Sequence, residues 1–187
     1  MGLDMYLMRF PRYKDYTPAD ARDVNYYLEY NVKSDPLPPK EDWEALNNMY
    51  KSRKEIGYWR KANAIHQWFV KCVQNGIDDC DYHREVTKDD LLALKKICCK
   101  ILKKCELVDG EVIDYWDGNL KPHYVPGKVI SNQEICEKLL PTQSGFFFGD
   151  TNYTEYYLID VRDTLEIVMN ALGTDFENYA IYYESSW

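Results

Sequence analysis

Tyr58, Trp59, Arg60, Lys61, Asn63 and His66 crowd into one short stretch, and each type offers a different contact. The phenol and indole give faces on which a flat heterocycle can stack. Arg60 and Lys61 supply cations for a phosphate. Asn63 carries donor and acceptor together and can read a base or ribose edge. His66 exchanges a proton near neutral pH. A second group, Thr142, Gln143 and Ser144, precedes Gly145-Phe146-Phe147-Phe148-Gly149. There, hydroxyls, an amide and the N–H groups of a turn can face an anion or a ring edge. These nine residues are the expected lining of a ligand pocket.

Neither group fits a catalytic template. The turn lacks the glycine spacing and lysine of a phosphate loop, and Ser144 is not in a nucleophile elbow. His66 as a general base needs an orienting carboxylate, for which Asp4 and Asp150 are candidates. Cys72, Cys80 and His83 come nearest to a metal-ligand set, but no second close pair completes four ligands, so neither metal nor cofactor is expected.

The elements that must hold these residues follow from periodicity. Trp59, Ala62, His66, Phe69, Val70 and Val73 recur at three- and four-residue steps, which predicts one amphipathic helix through residues 55–70, closed by Asn75-Gly76. Its apolar stripe is interrupted by Asn63 and His66, with Arg60 and Gln67 on its edges. Leu3, Met5 and Leu7 alternate with polar neighbours as in a half-buried strand, limited by Pro11. Thr17-Pro18-Ala19-Asp20 opens a helix with Val24, Tyr27 and Leu28 inward, and the run from Ser34 and Asp35 to Pro39 stops it. A helix over 40–50 buries Trp43, Leu46 and Met49, and a basic patch follows at 51–54. Thr87 caps a helix whose stripe runs from Leu91 to Cys105. Asp109-Gly110 reads as a hairpin turn, and Pro122, Pro126 and Gly127 as loop formers. Ser131-Asn132-Gln133-Glu134 reads as a capping box for a short helix reaching Leu140. From Tyr153 a long helix faces inward through Tyr157, Val161, Thr164, Leu165, Val168, Met169 and Leu172. Residues 176–185 alternate as a last strand beside the first, and Trp187 is expected to pack down. The fold class is α+β: a single domain over 1–187, with a small, mainly antiparallel sheet whose terminal strands adjoin, packed by four or five helices.

Composition bounds the function. With 187 residues and 45% hydrophobic content, the chain can bury a real core. A net charge of -8 argues against direct nucleic-acid binding, which needs a basic surface. No run can span a bilayer and no export signal is seen, so the expectation is no membrane partner, a cytoplasmic location and reduced cysteines, six in all. Tyr6 stands where N-myristoylation of Gly2 calls for Ser or Thr. The 17 tyrosines are compatible with a homodimer.

Met1-Gly2-Leu3-Asp4-Met5-Tyr6-Leu7, Gly57-Tyr58-Trp59-Arg60-Lys61-Ala62-Asn63 with Ile65-His66 and Trp68-Phe69-Val70, Leu140-Pro141-Thr142-Gln143-Ser144-Gly145-Phe146-Phe147-Phe148-Gly149, and Ser185-Ser186-Trp187 carry a resemblance. The chain resembles a family of small proteins widespread in tailed-phage and prophage genomes, for which no activity is settled. By analogy the resemblance implies an accessory role against host defence inside a bacterial cell. Three classes stay open. One is a protein that binds and sequesters a small nucleotide-derived ligand. Another is an inhibitor of a host defence protein, such as a CRISPR or restriction effector, through the acidic residues Asp78, Asp79, Asp81, Asp89 and Asp90. The third is an enzyme using His66 as general base. Binding without turnover is the reading carried forward.

Overall fold

The computed structural model describes residues 2–32, 36–82 and 84–187. Strand β1 (Asp4–Pro11) is central in a three-stranded antiparallel sheet, between β2 (Lys54–Arg60) and β5 (Tyr179–Ser186). The terminal strands therefore adjoin, as expected. Alternation fixes the register: Met5 lies opposite Trp59 and Ser185, and Leu7 opposite Gly57 and Tyr183. One face thus carries Leu3, Met5, Leu7, Trp59 and Tyr183, all buried in the main core. Each buried aliphatic there contributes about 1.5–3 kcal/mol.

Three helices supply most of that core's cover: α3 (Asn63–Cys72), α4 (Lys88–Lys104) and α6 (Glu155–Ala171). Gly57 lets α6 approach β2, since a Cβ there would come 2.3 Å from Ile167 Cγ2. The other sheet face carries Phe10, Met8 and Tyr182 into a second core with α1 (Pro18–Tyr30) and α2 (Trp43–Lys51). Thr17 and Thr87 both form full capping boxes, with Asp20 and Asp90. A second sheet is the hairpin of β3 (Leu107–Trp116) and β4 (Pro122–Ile130), followed by the short α5 (Gln133–Leu139). The result is a single α+β domain with, among the described residues, six α-helices, against the four or five expected, and two small antiparallel sheets.

Several expectations are corrected. Residues 54–60 form an edge strand, and the helix begins only at Asn63. The hairpin turns at Asp117–Lys121, where the Asp117 carboxylate accepts from the N–H groups of Asn119 and Lys121. Asp109-Gly110, Pro122, Pro126 and Gly127 lie inside its strands. Gly110 and Gly127 pair across the ladder because valines cover them: a Cβ on Gly110 would meet Val129 at 2.5 Å, and one on Gly127 would meet Val112 at 2.7 Å. Ser131 makes no capping box; its Oγ accepts from the Glu106 N–H, tying α5 to the end of α4. Leu28 is exposed because the last turn of α1 overhangs its cover, and Met169 lies on the solvent side of α6. Trp187 packs by one edge against Phe148 and stays half exposed. The loop at Ser34 and Asp35, and His83, lie outside the described residues.

All six cysteines are free thiols. Among the described residues no helix is long and apolar enough to cross a membrane, and no cluster of His, Cys, Asp or Glu forms a metal-ligand set.

Candidate functional site

The junction of β2 and α3 builds the site. Lys61 is held in the left-handed region at φ 60, and Ala62 follows at φ -76, ψ 68, an inverse γ-turn. The Lys61 N–H donates to Leu3 O at 2.7 Å, and Asn63 N–H donates to Lys61 O at 2.8 Å. A lysine in this conformation costs about 1 kcal/mol. The turn sends the chain directly from sheet edge to helix and sets Arg60, Lys61 and Asn63 around one hollow.

Asn63, only 3% exposed, holds the opposite wall. Its Oδ1 accepts from the Gln143 N–H at 3.0 Å, and its Nδ2 donates to Phe148 O at 3.1 Å and Asp150 O at 2.8 Å. One buried amide therefore pins both ends of the 143–150 loop. Thr142 secures the loop further, its hydroxyl donating to Thr151 O at 3.0 Å.

Between these walls lies a hollow of about 240 Å³, completed by Asp150, Asn152, Tyr156 and Asp160. Burial, then the charge of Asp163, pushes the Asp160 carboxyl up to about 7. Arg60 lies 4.0 Å from Asp4, and Lys61 has no ion-pair partner among the described residues. Arg60 and Lys61 therefore share the hollow with Asp150 and with an Asp160 that is partly protonated near neutral pH.

The structure thus brings together Arg60, Lys61, Asn63 and Thr142 from the expected lining, and leaves the other five off it. Tyr58 lies on the outer sheet face, its hydroxyl donating to Asp4 Oδ1 at 2.5 Å. Trp59 points into the core and donates from Nε1 to Thr164 Oγ1 at 2.9 Å. Gln143 contributes its backbone to Asn63, and Ser144 is exposed beyond the rim.

His66 is fully buried. Its orienting carboxylate is Asp78, rather than Asp4 or Asp150, with Nε2 to Oδ2 at 3.0 Å, while Nδ1 meets the Tyr183 hydroxyl at 2.8 Å. Because a carboxylate only accepts, Nε2 carries the proton and Nδ1 accepts from Tyr183. Burial pushes the His66 pKa below its ordinary value and Asp78 opposes this only in part, so the ring is neutral at pH 7. The same Asp78 accepts from Trp187 Nε1 at 3.1 Å. This chain clamps the C-terminus and the loop after α3 together, and gives His66 no face toward a substrate.

Asn152, Tyr156 and Asp160 were not found from sequence, and Asp150 was named only as a candidate partner for His66. A signal existed for Asp160: it stands three residues after Tyr157 and four before Thr164, an acid on the border of a buried helical face. The loop residues gave none.

No family model, curated protein or solved structure matches this chain.

Proposed function

We propose that this protein binds and sequesters a small, phosphate-bearing, nucleotide-derived ligand in the hollow between Lys61 and Asp160. The observation that carries the reading is the Lys61 junction: a cation without an ion-pair partner among the described residues, set by a strained turn at the mouth of a polar hollow. A phosphate beside Lys61 and Arg60 gains charge-assisted hydrogen bonds. Tyr156, 72% exposed at the rim, offers a ring to a base. Besides Asp160, Tyr157 lines the hollow with an altered pKa, but burial pushes its hydroxyl up and it already donates to Leu140 O at 2.8 Å, which supports holding over turnover. The resemblance to small phage proteins suggests the setting, removal of a nucleotide signal used in host defence.

The inhibitor reading rests on the acidic surface, and much of that acid is engaged within the chain. Asp78 serves His66, Asp81 pairs with Arg22 at 2.7 Å, and Asp90 pairs with Arg84 at 3.0 Å.

Native mass spectrometry of protein purified from bacterial cells tests the proposal. The wild type should carry a nucleotide-class adduct that is released unchanged on denaturation, and Lys61→Ala should lose it. Absence of any adduct, together with no thermal stabilisation across a nucleotide panel, overturns the reading. Capture of a host defence protein in its place supports the inhibitor.

A further inference from the structure

A second hollow, of about 230 Å³, adjoins the first and shares Asp150, Asn152 and Tyr156 with it. It opens between the β3–β4 hairpin, which contributes Val112 and Ile113, and the start of α6, which contributes Thr154. Thr154 is the N-cap of α6, and it behaves unlike the other two threonine caps. Thr17 and Thr87 each accept from the N–H three residues on, at 3.3 and 3.1 Å. Thr154 makes no capping bond. Its backbone is fixed by a bridge to Val129 and by its N–H donating to Asn152 O at 3.1 Å. Its residue is 7% exposed, yet Oγ1 has no hydrogen-bond partner among the described residues. Leaving a buried hydroxyl unpaired costs about 1–3 kcal/mol. Thr154 also lines a further hollow of about 190 Å³, which shares Val112, Ile113 and Asn152 with the second.

Charge separates the roles of the two hollows. Asp150 lines both; Lys61 and Arg60 face the first beside a partly protonated Asp160, while Glu155 stands on the wall of the second, whose lysine, Lys128, is already paired with Asp109 at 2.7 Å. A phosphate is disfavoured beside Glu155, where the one lysine on the wall is already paired, despite the helix N-terminus. A flat, uncharged ring with a hydrogen-bonding edge fits: Val112, Ile113 and the Tyr156 ring offer apolar contact, and Thr154 and Asn152 offer polar partners.

We infer that the ligand extends past Tyr156 into this second hollow, and that Thr154 determines specificity by hydrogen-bonding the edge of its nucleobase. This rests on the ligand-binding reading above and adds the orientation: phosphate toward Lys61, base toward Thr154.

The test uses the full chain and defined probes, the four ribonucleoside 5′-monophosphates and ribose 5-phosphate, by calorimetric titration. At least one nucleotide should bind about ten-fold tighter than ribose 5-phosphate, a gap of about 1.4 kcal/mol. Thr154→Val should shrink that gap to about two-fold while leaving ribose 5-phosphate binding unchanged, which also shows that the variant is folded. Thr154→Ser should restore the preference, and Lys61→Ala should weaken every probe. Equal binding of nucleotides and ribose 5-phosphate, or a preference that survives Thr154→Val, overturns this inference and leaves the first hollow's role standing. Failure of every nucleotide to bind overturns it as well, and the native-mass adduct then decides the ligand-binding reading separately.

Discussion

Asp42 and Asp160 are both shielded carboxylates, and their surroundings drive them in opposite directions. Asp42, 4% exposed, accepts from Lys14 Nζ, from the Tyr13 hydroxyl at 2.6 Å and from the Tyr16 hydroxyl at 2.7 Å. The hydrogen bond from Lys14, then those from Tyr13 and Tyr16, hold its pKa down to about 2. Asp160 has no donor to its carboxylate among the described residues, and burial beside Asp163 pushes it up to about 7. In one region donors surround an acid and close over it; in the other an acid is left on the wall of a hollow. The first pattern is how a fold locks a loop. The second keeps unused hydrogen-bonding capacity where a ligand can reach it. Asn63 shows that both patterns coexist at the hollow, because its amide is used in holding the 143–150 loop while Asp160, on α6, goes unpaired among the described residues.

The largest effect should come from breaking that wall. Asn63→Leu leaves the Gln143 N–H and the carbonyls of Phe148 and Asp150 without their partner. A loss of about 3 kcal/mol is expected in urea unfolding. A loss under about 1 kcal/mol would mean that the 143–150 loop is held by something other than Asn63, and the contrast between used and unused polar groups would lose its clearest member.

A smaller, pH-dependent effect tests the closed cluster. The Asp42 pKa is depressed in the folded state, so its contribution is present above the unfolded value near 4 and is lost as pH falls toward about 2. Subtracting the Asp42→Asn profile from that of the wild type isolates this acid limb from those of other carboxylates. Urea midpoints measured from pH 5 to pH 2 should converge between the two proteins as the pH drops. Parallel profiles would show that the tyrosines and Lys14 do not stabilise the ionised form.

What the sequence made legible were features specified locally. The alternating terminal strands, the threonine caps at Thr17 and Thr87, and the long stripe of α6 apart from Met169 all stand in the structure. The β2–α3 junction was missed for a physical reason. A strand-to-helix switch is ordinarily marked by glycine or proline, but here Lys61 adopts the left-handed conformation itself, so the helical spacing of residues 62–73 ran on backwards across Trp59. Asp109-Gly110 misled in the opposite sense: its glycine answers a cross-strand valine rather than a turn. At the site, Arg60, Lys61, Asn63 and Thr142 were visible because functional residue types stood close together in sequence. Asp150, Asn152, Tyr156 and Asp160 join them only through tertiary packing. His66 was the most chemically suggestive residue in the chain, and it is occupied by a pair, Asp78 and Tyr183, that no local pattern indicates.

The smallest predicted effect gives the open region its own signature, because its sign is reversed. A carboxyl with a folded pKa near 7 and an unfolded pKa near 4 costs nothing below the lower value, and it destabilises progressively as pH rises through the upper one. Replacing it by an amide removes that penalty. Asp160→Asn should therefore match the wild type near pH 4 and exceed it at pH 8 by about 1–2 kcal/mol, a figure reduced for solvent screening of a partly exposed group. Thermal melts across this range would show a widening gap of a few degrees, about 2–4 °C per kcal/mol for a chain of this size. Asp42→Asn should show the reverse, being less stable than the wild type at pH 8. A variant whose removal of charge stabilises the protein only at higher pH identifies Asp160 as an acid retained at a cost in stability, which is the pattern of a residue kept for binding. If Asp160→Asn instead lowers stability at pH 8, the carboxylate is paired in solution, and the hollow is as closed as the cluster around Asp42.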